Sequence, residues 1–286
     1  MRLATLNTPQ GPRPAVFATD RYVDLVATDS RFPPSMRRLL EDPRLLAAAK
    51  EVGANPKSVS VPAATARLHA PVHDPQKVIC VGLNYRDHAA ESKMPIPKEP
   101  VLFSKFPTAL IGNGEPIVIP SVSSKVDYEA ELVIVIGKRG RKIGESTAMD
   151  YVAGYSIGHD VSARDWQLEK DGKQWMVGKT FDTFAPVGPT LVTRDEVPHP
   201  HKLDIRLCLN GGTMQNSNTE QMIFSVAQLV SYLSVIFTLE AGDLIFTGTP
   251  PGIGHARQPA IYLKPGDQVE VEIDGLGVLR NPVSAE

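Results

Sequence analysis

The segment VDYEAELVIVI (residues 126–136) places two carboxylates inside one of the most apolar runs of the chain. Because side chains of a strand alternate between two faces, Glu129 and Glu131 share a face with Val133 and Val135. Two carboxylates about 5 Å apart repel each other by roughly 3 kcal/mol at an effective dielectric constant of about 20. Basic side chains, a shared proton with a raised pKa or a bound cation must therefore neutralise them.

The strand-like segment VEVEID (residues 269–274) provides a contrast within the same chain. Its three acids occupy one face and its three aliphatic residues the other, which is typical of a half-exposed strand. A Glu-x-Glu pair is commonly such a solvated face, so this pattern alone does not predict a ligand site. At residues 129 and 131 the acidic face continues into aliphatic residues, which favours a buried, functional pair.

The composition is that of a globular protein without a strongly charged surface. The chain has 286 residues, 42% of them hydrophobic, and a formal net charge of -2. This near-neutral charge does not indicate a basic surface that could bind nucleic acid. No apolar run reaches membrane-spanning length. Cys80 and Cys208 lie in strand-like runs typical of core thiols in a reducing compartment. Without an N-terminal targeting pattern, the sequence predicts a cytoplasmic protein with a small-molecule partner, no nucleic acid and no membrane.

The chain divides into a small N-terminal unit, residues 1–70, and a larger part, residues 71–286. The first unit combines short strands with a helical stretch from Ser35 to Val52. Pro43 should interrupt this stretch, because proline suits the first position of a helix better than its interior. The larger part has short strands punctuated by many of the 25 prolines and 22 glycines. It lacks regular strand–helix alternation and predicts a β-rich α+β fold.

Three local patterns predict elements of the larger part. The capping-box patterns SARD (residues 162–165) and SVAQ (residues 225–228) each open a helix. The second of these helices has an amphipathic pattern typical of structural scaffolding. The Asp-Gly pair at residues 274 and 275 predicts the turn of a β-hairpin.

A third carboxylate, Asp160, follows the strand-like run YSIGH (residues 155–159). If that strand lies beside the one that carries Glu129 and Glu131, three carboxylates converge. Oxygen ligands without cysteine favour a hard cation such as Mg²⁺, Mn²⁺ or Ca²⁺.

The segment GLNYRDHAAE (residues 82–91) places His88 and Glu91 on one face of a helical turn. A carboxylate that orients an imidazole makes a competent general base, although a surface His–Glu pair has the same spacing. The proline-rich residues 92–100 that follow are either a lid or a plain loop. Lys179 can bind an anion or stabilise an enolate, or it can be an ordinary surface lysine.

Together and in this order, these segments resemble the fumarylacetoacetate hydrolase superfamily, most closely its smaller domain-containing branch. The resemblance extends from about Pro71 to the C-terminus. It implies a mixed β-sandwich roll as catalytic domain over residues 71–286, preceded by a small α/β domain over residues 1–70. It also implies a homodimer and a site for Mg²⁺ or Mn²⁺. The matching segments are GLNYRDHAAE (82–91), DYEAELVIVI (127–136), HDVSARDWQ (159–167), GKTFDT (178–183) and TGTPPGIG (247–254).

The resemblance implies roles for nine residues of this sequence, in three groups. Each of these side chains has the chemical type that the family uses at that position. The implied metal ligands are Glu129, Glu131 and Asp160, the implied catalytic residues are His88, Glu91 and Lys179, and the implied substrate-binding residues are Arg164, Gln167 and Thr249.

One departure from the family pattern concerns the substrate. The founding hydrolase has a further aspartate ligand ahead of its histidine, and it takes its dyad glutamate from a later part of the chain. Here Asn84 and Tyr85 stand in the first region, and Glu91 supplies the dyad carboxylate. The resemblance therefore implies a small 2-oxo acid rather than fumarylacetoacetate as substrate.

Several reactions fit such a site, because a cation and Lys179 can together stabilise an enolate. If His88 activates a water molecule that attacks a 4-oxo carbon, an acylpyruvate is hydrolysed at a carbon–carbon bond, and this hydrolysis is the main prediction. The alternative is keto–enol tautomerisation or decarboxylation of oxaloacetate. An alternative of another class is a catalytically idle family member that binds a metal or a metabolite.

Overall fold

The computed structural model describes residues 1–92 and 94–286, and strands are its main secondary structure. The strands are β1 (Arg2–Thr8), β2 (Gly11–Ala18), β3 (Arg21–Asp24), β4 (Ser60–Pro62), β5 (Leu68–His69), β6 (Val78–Gly82), β7 (Val101–Lys105), β8 (Leu110–Ile111), β9 (Ile117–Ile119), β10 (Val126–Asp127), β11 (Ala130–Ile136), β12 (Val152–His159), β13 (Ser162–Ala163), β14 (Ala185–Thr193), β15 (Asp204–Leu209), β16 (Gly212–Asn218), β17 (Leu244–Phe246), β18 (Gln268–Ile273) and β19 (Gly277–Ala285). The α-helices are α1 (Leu25–Thr28), α2 (Met36–Glu41), α3 (Pro43–Ala54), α4 (Arg86–Glu91), α5 (Arg164–Leu168), α6 (Trp175–Lys179) and α7 (Val226–Ile236).

Two mixed sheets form the framework of the molecule. The larger sheet follows the order β4-β3-β2-β1-β14-β12-β11-β17-β6-β7, with β5 beside β1 and β8 beside β14. The smaller sheet follows the order β16-β15-β18-β19-β9. Most neighbours are antiparallel, whereas β17 runs parallel to β6 and β19 runs parallel to β9. This arrangement confirms the predicted β-rich α+β class.

The main apolar core lies between the two sheets. Leu132 and Ile134 of β11 belong to the same buried cluster as Leu207 of β15 and Val271 of β18. Because strand side chains alternate, Val133 points to the opposite face of β11, where a second buried cluster covers it. Both faces of β11 are therefore buried, and the sheets pack face to face as in the expected sandwich roll.

The N-terminal strands extend the larger sheet. Strand β1 pairs with β14 through the registers Arg2↔Val192 and Leu3↔Leu191. Leu3 shares a buried cluster with residues of β11, β14 and β17. Residues 1–70 and 71–286 thus share a sheet, and the division into domains at residue 70 stays a prediction.

The predicted interruption of the first helical stretch is present. Helix α2 ends at Glu41 and α3 begins with Pro43 at its first position. The side chain of Asp42 accepts a hydrogen bond from the main-chain nitrogen of Arg44 and caps α3. Proline thus stands where its missing N–H costs nothing.

The two capping-box predictions have different outcomes. Ser225 and Gln228 form the complete reciprocal capping box of α7. At residues 162–165 the prediction is wrong, because Ser162 belongs to β13 and α5 begins after Ala163. The Ser162 hydroxyl donates instead to the Asp160 carbonyl, at 2.9 Å. The predicted hairpin at residues 274 and 275 joins β18 to β19.

Two further expectations concern segments outside this framework. Residues 92–100 are expected to be either a lid or a plain loop, and of these Lys93 lies outside the described residues. Both alternatives stay predictions. Among the residues that the structure describes, no helix has the length and apolar character needed to cross a bilayer.

Candidate active site

A cavity of about 450 Å³ collects all nine side chains that the sequence singled out. It opens where β6 and β12 end and where the loop after β17 approaches helices α4 to α6. A larger and more open groove, of about 990 Å³, runs along α2 and α3, away from these residues. The smaller cavity is therefore the candidate active site. The nine side chains, which line it together with other residues, are His88, Glu91, Glu129, Glu131, Asp160, Arg164, Gln167, Lys179 and Thr249.

Three carboxylates converge at the floor of this cavity. Ligand oxygens of Glu129, Glu131 and Asp160 all lie within 4.8 Å of one another, and all three residues are buried. The period-two alternation of the β11 segment puts the two glutamates on one face. Asp160 reaches them because its main-chain nitrogen donates to the Glu129 carbonyl at 2.9 Å. The predicted meeting of the two strand ends is therefore present.

Glu129 is neutralised by two buried basic side chains. Lys179 Nζ lies 2.7 Å from Glu129 Oε2, and Arg164 Nη2 lies 2.6 Å from Glu129 Oε1. Burial raises the pKa of Glu129, but the two cations outweigh it and hold the pKa below the usual range. Lys179 Nζ also lies 2.7 Å from Asp160 Oδ2. Part of the repulsion is thus relieved by basic residues.

Glu131 differs from Asp160 in having no salt bridge to a cationic side chain among the described residues. Glu131 Oε2 accepts from the main-chain nitrogen of Gly248 at 2.7 Å. Burial, together with Asp160 and Glu129, raises the pKa of Glu131 well above its ordinary value. Both oxygens of Asp160 lie 2.7 Å from a lysine ammonium, Oδ1 from Lys105 and Oδ2 from Lys179.

This donor set fits a hard divalent cation. Of its four buried carboxylates, three pair with the three buried cationic side chains, whereas Glu131 forms no salt bridge among the described residues and would be stabilised as a carboxylate by a bound cation. Oxygen ligands of this kind suit Mg²⁺, Mn²⁺ and Ca²⁺. The carboxylates are Asp127, Glu129, Glu131 and Asp160, and the cations are Lys105, Arg164 and Lys179.

Asp127 is a site residue that the sequence reasoning missed. Its Oδ1 accepts from the main-chain nitrogen of Gly254 at 2.7 Å, and its Oδ2 accepts from Arg164 Nε at 2.8 Å. The main-chain nitrogen of His255 adds a third hydrogen bond at 3.0 Å. Asp127 thereby ties the glycine-rich loop of residues 247–254 to the cluster. Its place two residues before Glu129, in the same face pattern, was the available signal.

Lys105 is the second residue that the sequence reasoning missed. It ends β7, where a lysine normally indicates a strand end at the surface, but it is only 2% exposed. Its Nζ lies 2.7 Å from Asp160 Oδ1. It also donates to the main-chain carbonyls of Val161, Lys179 and Phe184. Nothing in the local sequence distinguishes it from an exposed lysine.

The predicted histidine–glutamate pair is present on α4. His88 Nδ1 lies 3.1 Å from Glu91 Oε2, three residues along the helix. The main-chain nitrogen of Gly252 donates to Glu91 Oε1 at 2.9 Å. Burial raises the pKa of Glu91, but these hydrogen bonds outweigh it and the pKa is lowered. Glu91 is thus held as a carboxylate that orients the imidazole.

Gln167 and Thr249 have partners that leave each a free donor. Gln167 Oε1 accepts from Arg164 Nη1 at 2.8 Å, so its amide N–H groups remain available. Thr249 Oγ1 accepts from Gln215 Nε2 at 2.9 Å, so its hydroxyl hydrogen can donate elsewhere. Both side chains can therefore offer hydrogen bonds to an anionic ligand in the cavity.

Two aromatic side chains, Phe103 and Trp175, line part of the cavity. The rings of Phe103 and Trp175 meet edge to face with centroids 5.8 Å apart. Lys179 Nζ lies 5.0 Å from the centroid of the Phe103 ring. A Cβ atom at Gly82 would overlap Trp175, so glycine is required for this ring to cover the end of β6. The apolar wall lowers the local dielectric and strengthens the charge interactions of the site.

Three known proteins illustrate the similarity of the whole chain to others. Oxaloacetate tautomerase fahd2, mitochondrial, from Xenopus laevis is 47% identical over 289 residues, covering 99% of this chain and 90% of the frog protein. A putative HpcE protein from Mycobacterium smegmatis has a TM-score of 0.88 and 38% identity, covering 100% of this chain and 99% of the other. Maleylpyruvate hydrolase from Sphingobium, in complex with manganese(II) and pyruvate, has a TM-score of 0.83 and 32% identity over 100% and 99% of the two chains.

The expected cytoplasmic location is wrong. Relatives from frog, cattle and human, at 45–47% identity, are named as mitochondrial proteins. Balanced charge and free cysteines are compatible with either compartment, because they report on the folded domain and not on its sorting. Of the two expected core thiols, Cys80 is buried, whereas for Cys208 the expectation is wrong because it is only partly buried.

The names of these relatives describe enzymes, namely tautomerases, isomerases and hydrolases. The profile described as fumarylacetoacetate (FAA) hydrolase C-terminal matches residues 77–284, which is more than half of the chain. Together with the full-length similarity, this match confirms the resemblance seen in the sequence. The chain belongs to the fumarylacetoacetate hydrolase superfamily, in the branch of the fumarylacetoacetate hydrolase domain-containing proteins.

Proposed function

We propose that this protein is a divalent-metal-dependent tautomerase that interconverts the enol and keto forms of oxaloacetate. The observation that carries the proposal is the His88–Glu91 pair, at 3.1 Å, in the same cavity as the carboxylate cluster. Relatives at 44–47% identity that are named oxaloacetate tautomerase support this reaction over the hydrolysis expected first from the sequence.

The carboxylates of Glu129, Glu131 and Asp160 would hold the cation, since their ligand oxygens lie within 4.8 Å of one another and Glu131 has no salt bridge among the described residues. A bound Mg²⁺ or Mn²⁺ would act as a Lewis acid toward the 2-oxo group of the substrate. Ca²⁺ has suitable oxygen ligands here as well, but it polarises a carbonyl less because its bonds are longer.

Lys179 is proposed to contact the substrate oxygen that carries negative charge during the reaction. Two of its three N–H groups point to Glu129 and Asp160, which leaves one donor. Because Lys179 is buried, its charge acts at a low local dielectric. Arg164, Gln167 and Thr249 would bind the carboxylates of the substrate through their remaining donors.

His88 is proposed to move the proton. In the direction from enol to keto, the imidazole takes the proton from the enol oxygen, and the imidazolium returns a proton to C3. One O–H bond breaks and one C–H bond forms, so no water or other reactant is consumed. Glu91 stabilises the imidazolium between the two steps through its carboxylate.

Hydrolysis of an acylpyruvate is the second candidate function. A structural neighbour that is 32% identical is a maleylpyruvate hydrolase described with manganese(II) and pyruvate. The cavity of about 450 Å³ is also larger than a four-carbon acid requires, so it can admit a longer acyl group and water. In this reaction His88 would activate the water molecule.

The ultraviolet absorbance of oxaloacetate enol tests the proposal. We expect the purified protein with Mn²⁺ or Mg²⁺ to accelerate loss of the enol signal without releasing pyruvate, and excess chelator to abolish the acceleration. His88→Asn should lower this rate about 100-fold or more. His199→Asn, a change of an exposed histidine outside the cavity, should leave it unchanged.

Other outcomes would contradict the tautomerase proposal. Release of pyruvate from acetylpyruvate, without faster loss of the oxaloacetate enol, would establish the hydrolase. Release of pyruvate from oxaloacetate would indicate decarboxylation. No response to either substrate, with Mn²⁺ bound, would leave a metal-binding family member without this chemistry.

A further inference from the structure

Lys105 has an unusual place for a lysine at the end of an edge strand. Strand β7 is the last strand of the larger sheet, yet the Lys105 side chain is buried. Its Nζ donates to the carbonyl of Val161 at 3.0 Å and to that of Phe184 at 2.8 Å, and it also donates to the carbonyl of Lys179. An ammonium group has three N–H donors, and all three are used on main-chain carbonyls.

These carbonyls belong to the segments that carry the site. Val161 directly follows Asp160, and the second carbonyl is that of Lys179 itself. Phe184 lies directly before β14, the strand that pairs with β12 on the far side from β11. One buried side chain therefore joins the segment with a carboxylate of the cluster to the segment with its lysine.

The contact between Lys105 and Asp160 has a particular geometry. Lys105 Nζ also lies 2.7 Å from Asp160 Oδ1, so the ammonium attracts this carboxylate in addition to the carbonyls. A carboxylate oxygen has two lone pairs, so Asp160 Oδ1 can contact Lys105 and still act as a ligand atom. The main chain on the C-terminal side of Asp160 is held by the same ammonium.

We propose that Lys105 is a positioning residue that holds Asp160 and Lys179 in the geometry needed to bind a divalent cation. It does not touch the substrate. The inference rests on the metal site of the proposed function, although not on which reaction the site performs.

A substitution of Lys105 can raise or lower the affinity for the metal. The direction of this change distinguishes a positioning role from a purely electrostatic one. An ammonium 2.7 Å from a ligand oxygen repels a divalent cation, so removing only its charge would tighten metal binding. Removing the link between the segments frees Asp160 and Lys179 to move, which weakens metal binding. The positioning role predicts the second result.

The test measures Mn²⁺ binding by electron paramagnetic resonance, without substrate, on wild-type protein and on Lys105→Met. Circular dichroism verifies the fold of each variant. We expect Lys105→Met to bind Mn²⁺ at least tenfold more weakly and to lower kcat more than it raises KM, because Lys179 is displaced.

Lys77→Met is the matched control. Lys77 also pairs with a buried acid, since its Nζ lies 2.8 Å from Asp243 Oδ2, but it lies outside the cavity. The control should lose some stability and keep the wild-type Mn²⁺ affinity. If Lys105→Met cannot be purified in folded form, Lys105→Gln, which retains an amide donor, is measured in the same way together with the Mn²⁺-induced rise of its Tm.

Unchanged or tighter Mn²⁺ binding by folded Lys105→Met would overturn the inference. So would wild-type protein that does not bind Mn²⁺. Wild-type protein that binds Mn²⁺ and shows the expected Lys105 effect, but does not act on oxaloacetate, would refute the proposed function and leave this inference supported.

Discussion

Glu129 and Glu131 are two residues apart on one strand segment, yet their surroundings differ. Glu129 pairs with Lys179 and Arg164, whereas Glu131 accepts a hydrogen bond from the main chain at Gly248. The first carboxylate is balanced by cationic side chains, whereas the second has no salt bridge among the described residues. If Glu131 is the metal ligand that we propose, metal binding and the stability of the metal-free protein oppose each other at this residue.

Glu131→Gln should separate these two properties. The amide keeps an acceptor for Gly248 and removes the repulsion from Glu129 and Asp160, so the metal-free protein should gain about 1 kcal/mol of unfolding free energy. The rise of Tm that Mn²⁺ causes in the wild type should disappear, together with metal-dependent turnover. Thermal unfolding with and without Mn²⁺ measures both effects.

Glu270→Gln is the control for this variant. Glu270 lies on the half-exposed strand β18 and pairs with Arg280 at the surface. The control should change Tm little and leave the Mn²⁺ response intact. A normal Mn²⁺ response in Glu131→Gln would remove Glu131 from the proposed ligand set.

Glu91 should stay a carboxylate across the pH range in which turnover is measured. Hydrogen bonds from His88 and Gly252 lower the pKa of Glu91 against the effect of burial. Its contribution to stability is present above the ordinary glutamate pKa and is lost only as the pH falls through the lowered value. Between pH 5 and 8 Glu91 stays ionised.

Glu91→Gln should lower kcat for loss of the oxaloacetate enol about tenfold or more, because an amide does not stabilise the imidazolium that forms between the two proton transfers. Wild-type kcat in Glu91→Gln would contradict the proposed pairing of Glu91 with His88.

Helix α6 shows how one element carries the site. Its first residue, Trp175, covers Gly82, and its last, Lys179, reaches the carboxylates. Gly82→Ala would push Trp175 away, because a Cβ atom would overlap its ring. We expect a loss of about 1–3 kcal/mol in stability and at least a tenfold loss in kcat, since Lys179 moves with the helix.

A smaller side chain at residue 175 should leave room for the Cβ atom of an alanine at residue 82. In the double variant Gly82→Ala with Trp175→Leu, stability should recover relative to Gly82→Ala alone, as a double-mutant cycle would measure. Gly144→Ala is the control, because a Cβ atom there meets only a distant contact and the backbone is unstrained. Additive effects of the two changes would contradict the overlap.

Helix α7 has a titratable group at its start. The main-chain nitrogen of Val226 donates to His201 Nε2 at 3.4 Å, and burial lowers the pKa of His201. Protonation would remove this acceptor and add positive charge at the positive end of the helix dipole. Since the folded pKa lies below the unfolded value of about 6.5, stability should fall as the pH drops below that value.

His201→Gln should flatten this pH dependence, because an amide keeps an acceptor and does not titrate. Tm is measured from pH 7 to pH 5. In this range one titrating group changes the free energy of unfolding by at most about 1.4 kcal/mol per pH unit. His199→Gln, at an exposed neighbour, should keep the wild-type slope. Equal slopes in all three proteins would contradict the proposed role of His201.

At the scale of the whole molecule, the first seventy residues complete the larger sheet. Strand β1 covers the edge of β14, and Leu3, Val16 and Leu39 fill a cluster with Val133 and Phe246 from the strands behind the site. The predicted catalytic part thus has one of its two apolar faces covered by the N-terminal unit. The predicted homodimer stays a prediction.

The fragment of residues 71–286 should therefore be insoluble or unfold at a markedly lower temperature than the full chain. Removing residues 1–70 would uncover both a strand edge and an apolar cluster. Leu3→Ala gives a graded version of the same test and should cost about 2–5 kcal/mol. Solubility and Tm measure the effect, and a soluble fragment with the stability of the full chain would contradict it.

The sequence by itself determined the β-rich class, the buried acidic strand and the ordered set of motifs. These follow from period-two alternation and from residue types at short spacing, which are local properties. The same local logic predicted the geometry of His88 with Glu91, three residues apart on one helical turn. The capping box predicted from the same short spacing was wrong at Ser162, because its hydroxyl donates to the Asp160 carbonyl instead of capping α5.

Only the tertiary structure decided which charges face one another. Lys105 and Asp127 resemble a strand-end lysine and an ordinary acid in the sequence, and their roles arise from segments that lie tens of residues apart. The sharing of the larger sheet by both predicted domains has the same origin. Long-range pairing and burial determine these features, because the energy of a charge depends on its partners and its exposure to water and not on its neighbours along the chain.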